Sequence, residues 1–179
     1  MAKLVLTVVG DDRAGLVQSL ADVVSSHGGN WETSELAELA GAFAGIVLVS
    51  VPDARLEELR DALNGLDGLL RVTVHGGAVT SAGNGGRRFT FSVLGDDRPG
   101  IVREVTGILS RHGLTIDLFS SHTREAPMAG GVLFEARIAA RVPEGVEATA
   151  VVEELERLAG EIQVDLSVGD DESVGGGVG

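Results

Sequence analysis

Val9-Gly10-Asp11-Asp12-Arg13-Ala14-Gly15-Leu16-Val17 returns as Leu94-Gly95-Asp96-Asp97-Arg98-Pro99-Gly100-Ile101-Val102, 85 residues further along the chain. His27-Gly28 returns as His112-Gly113 at the same offset. Self-similarity at a fixed spacing marks a duplicated structural unit. Between the anchors both copies carry apolar residues at helical spacing: Leu16, Leu20, Val23 and Val24 in the first, Ile101, Val105, Ile108 and Leu109 in the second. A short β-rich run leads into each anchor, Leu4 to Val9 and Phe89 to Leu94.

Outward from the anchors, each copy continues in the same order. An extended segment of mixed polarity covers Trp31 to Ala40 or Ile116 to Arg124, and a second strand signal covers Ile46 to Val51 or Val132 to Ala139. A second amphipathic helix presents Leu56, Leu59, Leu63 and Leu66, or Val152, Leu155 and Leu158, to a core. A closing strand covers Leu70 to Val74, and in the second copy Ile162, Val164, Leu166 and Val168 alternate with polar residues. The order β-α-β-β-α-β, twice, predicts an α+β protein of two ferredoxin-like units in tandem. In each, both helices should cover one face of a four-stranded sheet, with the first and third strands central and parallel. Ten of the 26 Gly fall in Gly76–Gly86 or Gly169–Gly179. The expected boundaries are therefore 1–75 for the first unit, 76–87 for a Gly-rich linker, 88–168 for the second unit and 169–179 for a disordered Gly-rich tail. Pro52 and Pro143 stand 91 apart rather than 85, which places a six-residue insertion around Arg124–Gly131.

Composition narrows the function classes. The 179 residues include 14 Lys+Arg, 27 Asp+Glu and no Cys, a net charge of −13 at pH 7. Without Cys there are no disulfides, thiolate metal sites or thiol catalysis, and the composition suits a reducing compartment, so the cytoplasm is the expected location. The longest apolar run, Ile46 to Val51, is broken by Ser50 and falls well short of the roughly 20 residues of a membrane span, and no signal segment is read. Nucleic acid is bound largely through Lys and Arg on phosphates. Residues 1–86 and 87–179 net −6 and −7, which disfavours direct DNA binding. No Walker loop, G-x-G-x-x-G, G-x-S-x-G or H-E-x-x-H occurs, so neither an enzyme nor a cofactor is expected.

Each anchor joins a strand end to a helix start, where four N–H groups lack intrahelical partners and the helix dipole adds partial positive charge. Such a terminus attracts an anion. Gly15 and Gly100 would let a carboxylate approach the backbone, Pro99 pre-sets the φ of a first-turn residue, and Asp11, Asp12, Asp96 and Asp97 suit an ammonium group. An amino acid carries both charges. The same residues also read as Asp N-caps, Gly for close helix–sheet packing, and solvated Arg13 and Arg98. Paired Asp on a turn lacks the further oxygen ligands that Mg²⁺ needs, so no metal site is expected. His27 and His112, each before a Gly, read as helix C-caps.

These residues resemble a tandem pair of ACT domains, most similar to the glycine cleavage system transcriptional repressor group: the D-R-[AP]-G-[LI]-V anchor, the [SR]-H-G turn and the duplicated order, over 3–75 and 88–168. The resemblance implies binding of an amino acid or other small metabolite and control of a partner protein. In the family the ligand lies between two domains, held by the first strand-to-helix loop of one and the start of the second strand of the other. Carried over, the loops are Asp12, Arg13, Ala14, Gly15 and Leu16, and Asp97, Arg98, Pro99, Gly100 and Ile101. The second-strand starts are Asn30 and Thr115, so one pocket would pair the second loop with Asn30 and the other the first loop with Thr115. The family often has Asn there, and Thr115 departs from it. The leading reading is an amino-acid-sensing regulatory protein that acts by protein–protein contact. Its alternatives are a direct DNA-binding repressor and a constitutive, non-sensing assembly subunit.

The uncovered sheet faces should differ. In the first copy Val5, Thr7 and Val9 alternate with Leu4, Leu6 and Val8, and Ile46 and Leu48 with Val47, Val49 and Val51, so both faces are apolar. The second copy places Thr90, Ser92, Glu135 and Arg137 on one face. An apolar outer face seldom stays exposed, so a homodimer through the first unit is expected.

Overall fold

Leu4, Leu6 and Val8 are buried and alternate with the half-buried Val5 and Thr7 and the exposed Val9, which fixes one strand, β1 (Ala2–Asp11), as two-faced. The computed structural model describes residues 1–76, 86–126, 130–158 and 163–168. After β1 the first unit continues with α1 (Leu16–Ser26), β2 (Asn30–Leu39), β3 (Ala42–Val51), α2 (Leu56–Asn64) and β4 (Arg71–Gly76). The second has β5 (Gly86–Asp96), α3 (Ile101–Arg111), β6 (Thr115–Glu125), β7 (Val132–Pro143), α4 (Ala148–Arg157) and β8 (Gln163–Val168). The chain divides into two compact units, Met1–Ser81 and Ala82–Gly179.

Sheet order is β2-β3-β1-β4 in the first unit and β6-β7-β5-β8 in the second. The first and third strands are central, but they are antiparallel, not parallel, with register from Ala2↔Val51 to Asp11↔Ala42. The reason lies in the connections. The helix crossover makes β1 and β2 run the same way, and the hairpin folds β3 back between them, so β3 opposes both. The β5–β7 pair repeats this arrangement.

Each unit has its own core on the helix side of its sheet. In the first, Leu16, Leu20 and Val24 of α1 and Leu59 and Leu63 of α2 pack over Leu6, Val47 and Val49. In the second, Ile101, Val105, Ile108 and Leu109 of α3 cover Phe91 and Ile138. Each such side chain contributes about 1.5–3 kcal/mol when fully buried. On α4 Leu155 is buried as expected and Val152 and Leu158 pack partly buried against the core, but Ala148 and Val151 are buried more deeply than Val152.

Helices α1 and α3 end alike. Gly28 and Gly113 take φ +70 and +72. Their N–H groups reach Ser25 and Ser110 carbonyls at 2.9 Å, and the next N–H groups, of Gly29 and Leu114, reach Val24 and Leu109 at 2.9 and 3.0 Å. That is the Schellman pattern. His27 Nδ1 contacts the Val23 carbonyl at 2.7 Å, while His112 Nε2 meets Glu154 at 2.6 Å and so ties α3 to α4.

The β2–β3 hairpin turns in two residues, Ala40 and Gly41, with φ +53 and +83. The six-residue insertion belongs to the β6–β7 hairpin, where Ala126 N–H donates to Gly131 O at 3.1 Å. Gly76, Gly86 and Arg87, assigned to the linker from sequence, lie in strands β4 and β5. The remaining linker positions 77–85, Ile162 and the tail 169–179 lie outside the described residues. Among the described residues no helix is long and apolar enough to cross a membrane.

Candidate functional site

The two anchor loops are set by one backbone bond each. Asp12 N–H donates to Gly41 O at 2.9 Å and Asp97 N–H to Val132 O at 2.8 Å, extending the central ladder just past the strand. Gly15 and Gly100 then cap α1 and α3 with φ +89 and +91, and no side chain bonds to either cap. The aspartates are therefore not N-caps. The chain turns through a left-handed residue that only glycine adopts cheaply, and Asp12 and Asp97, three residues earlier, stay exposed. In the second copy Ile101 N–H donates to Arg98 O at 3.2 Å. Pro99 and Gly100 occupy the central positions of that turn, as in type II geometry. Pro99 thus precedes the helix cap and does not sit in the first turn.

The first i→i−4 bonds are Ser19 N–H to Gly15 O at 2.9 Å and Glu104 N–H to Gly100 O at 3.0 Å, so the N–H groups before them have no partner within the helix, although that of Ile101 is used in its turn. Nothing lies within 4 Å of where a Cβ on Gly15 would stand, and Glu104 Oε1 is 3.9 Å from the equivalent point on Gly100. The Gly15 start is open to a small anion, whereas at the Gly100 start the Glu104 carboxylate, held by Arg98, stands alongside. Leu16 and Ile101, counted among the ligand residues from sequence, bury their side chains in the cores and offer only backbone.

The two arginines of the motif have diverged. Arg13 Nη2 donates to the carbonyls of Gly68 and Leu69, at 2.7 and 3.3 Å, and so holds its loop to the turn before β4. Arg98 forms a two-pronged pair with Glu104, at 3.0 and 2.5 Å. That pair holds the Glu104 carboxyl below the usual glutamate range. Neither arginine is simply a solvated charge.

Asn30 and Thr115 open β2 and β6 and are both exposed. Within one unit they lie far from the loop. Asn30 pairs with Ser50, which pairs with Lys3 at the start of β1, whereas the loop follows its end. Nine residues of strand put roughly 30 Å between them. Sequence reasoning missed the cluster beside each strand start, where a β-bulge turns one carboxylate onto the strands. In the first unit Glu32 accepts from Ser50 Oγ at 2.7 Å and from Asn30 Nδ2 at 3.5 Å, with Lys3 Nζ at 4.0 Å. The Ser50 bond, then that of Asn30, lowers the Glu32 pKa. In the second unit Asp117 accepts from Arg141 at 2.7 Å and from Arg88 at 3.3 Å. The repeat held the signal: Lys3 and Arg88, like Glu32 and Asp117, are 85 apart, and Ser50 and Arg141, like the two prolines, are 91 apart.

Models of the ACT domain match residues 2–76 and 89–160. Among solved structures, an unidentified protein from Galdieria sulphuraria is 28% identical over 94% of this chain and 99% of its own, with a TM-score of 0.82. A candidate glycine cleavage system transcriptional repressor is 20% identical over 94% of this chain and 98% of its own, with a TM-score of 0.66, a likeness of fold. No curated protein matches the chain. Duplicated anchors, antiparallel β2-β3-β1-β4 sheets and matched models agree: the chain belongs to the ACT-domain family and carries two ACT domains in tandem.

Proposed function

We propose that this protein senses a small amino acid and passes the binding event to a partner protein. The observation that carries this reading is the pair of anchor loops, each with a left-handed glycine, N–H groups without a partner in the helix and exposed aspartates. A ligand carboxylate would sit on the helix start and its ammonium against Asp12 or Asp97. Asn30 and Thr115 stand at the far end of their own sheets, away from their own unit's anchor loop. The role asks for neither a catalytic group nor basic charge, in keeping with the sequence.

Thermal unfolding of the full chain against a panel of glycine, serine, branched and aromatic amino acids tests the proposal. Glycine heads the panel because one protein of the same fold is named for the glycine cleavage system. A ligand that binds only the folded state adds about 2.7 kcal/mol at a hundredfold excess over its Kd. A saturating rise with one amino acid is expected, and a flat response across the panel refutes the reading in favour of a constitutive assembly subunit.

A further inference from the structure

The second unit departs from the first where its last helix begins. Helices α2 and α4 turn residues to their cores at the same spacing, Leu56, Leu59 and Leu63 in one and Ala148, Val151 and Leu155 in the other. At the first of these positions an isobutyl side chain packed against the core has become a methyl group. Beside Ala148 lies a cavity of about 500 Å³, within the range of small-molecule sites. Phe89 and Val142, both buried, form its apolar wall. Arg87 stands at the same cavity with its guanidinium 5.3 Å from the centroid of the Phe89 ring, close enough for the ring face to hold the cation there. The position 85 residues earlier is Ala2, so the charge, like the shortened side chain, is particular to the second unit. Among the described residues no carboxylate pairs with Arg87. Its neighbour Arg88, one residue on along β5, points to the other face of the sheet and holds Asp117.

We propose that this cavity binds a small organic monocarboxylate with an apolar body, the carboxylate on Arg87 and the body against Phe89, Val142 and Ala148. The wall alone would accept many apolar molecules, and the single cation sets the class. A guanidinium donates two parallel bonds to a carboxylate, a geometry that a neutral amide or an amine cannot accept. Glu144 and Glu147, exposed at the edge of the cavity, disfavour a dianion such as a phosphate monoester. The site stands apart from the amino-acid reading of the anchor loops. Strand β5 begins beside the cavity and ends at Asp96, and the nine residues from Arg87 span roughly 30 Å.

Amide NMR of the isotope-labelled full chain, titrated separately with phenylacetate, phenylacetamide and benzylamine, tests this. Phenylacetate should give saturating shifts centred on Arg87, Phe89 and residues 142–149, with a Kd of roughly 0.1–1 mM for so small a ligand. Phenylacetamide should bind about tenfold more weakly, for want of the charged bond, and benzylamine more weakly still. Arg87→Gln should bring phenylacetate down to the level of the amide and leave the amide unchanged, a separation that mere loss of structure would not produce. Ala148→Leu should fill the cavity and end binding of all three, with circular dichroism as a check on folding. If the leucine prevents folding, Arg87→Gln alone decides. A wild type that does not respond, shifts centred on the anchor loops, an amide or amine that binds as well as the acid, or phenylacetate binding indifferent to Arg87→Gln or to a folded Ala148→Leu overturns the proposal.

Discussion

Gly15 and Gly100 show what single residues decide here. Their φ values of +89 and +91 turn the chain from strand to helix without a side-chain cap. An L-residue at such a φ costs about 1–2 kcal/mol. Gly15→Ala should therefore lower stability by about 1 kcal/mol through backbone strain alone, because its Cβ would meet nothing within 4 Å. Urea unfolding checks this, and an unchanged midpoint would contradict it. For ligand binding, Asn30 offers two donors and an acceptor in one plane, and Thr115 a single hydroxyl on a shorter arm. A hydrogen bond to a charged group is worth about 1.5–3 kcal/mol, or roughly ten- to a hundredfold in affinity. Asn30→Ala should thus weaken binding more than Thr115→Ala, and calorimetry with the amino acid that passes the thermal screen decides between them. At this scale the sequence was legible where a residue repeats. Asp12, Gly15 and His27 were visible through their copies, but whether Asp12 caps the helix depends on a φ at Gly15 that no residue name reports.

Elements were legible where one periodicity dominates. Helix α3 buries Ile101, Val105, Ile108 and Leu109 as its spacing requires. On α4, adjacent Val151 and Val152 fit two phases equally well, and the sheet beneath selects Val151. Val151→Ala should accordingly destabilise more than Val152→Ala, and Leu155→Ala should cost about 2–5 kcal/mol, measured by chemical denaturation. The central places of the first and third strands were legible, but not as a parallel pair: a helix crossover keeps the chain's direction and the hairpin then reverses it, so the third strand opposes the first. Helix α3 is also tied to α4 by charge. Glu154 meets Arg111 and His112, each at 2.6 Å, and these contacts, Arg111 first, lower its pKa. A carboxylate whose folded pKa is depressed adds stability that is complete above its unfolded value, about 4.3 for Glu, and is lost as pH falls through the folded one. Glu154→Gln should therefore lower the urea midpoint at neutral pH and match wild type in acid below that range. A deficit that persists unchanged in acid would show that the tie is not electrostatic.

For the whole molecule, charge bears on the alternative of direct repression at DNA. The chain carries −13 at pH 7, and several of the arginines that might offset this locally are paired with carboxylates. Arg98 holds Glu104, Arg111 holds Glu154, Arg124 holds Glu135, and Arg88 and Arg141 share Asp117. A phosphate would have to displace those partners while the remaining acidic surface repels the backbone. Binding that neutralises Z phosphates falls with salt at a log–log slope of about −0.9Z, so a DNA-binding protein of modest footprint is strongly salt-dependent. A gel shift on the protein's own promoter, run from low to physiological salt, should show no retardation at micromolar protein, with or without the amino acid. Retardation that weakens with salt at a slope equivalent to several phosphates would mean that the pairs at Asp117 and Glu135 open to receive DNA. Regulation would then pass directly to the nucleic acid and not through a partner protein.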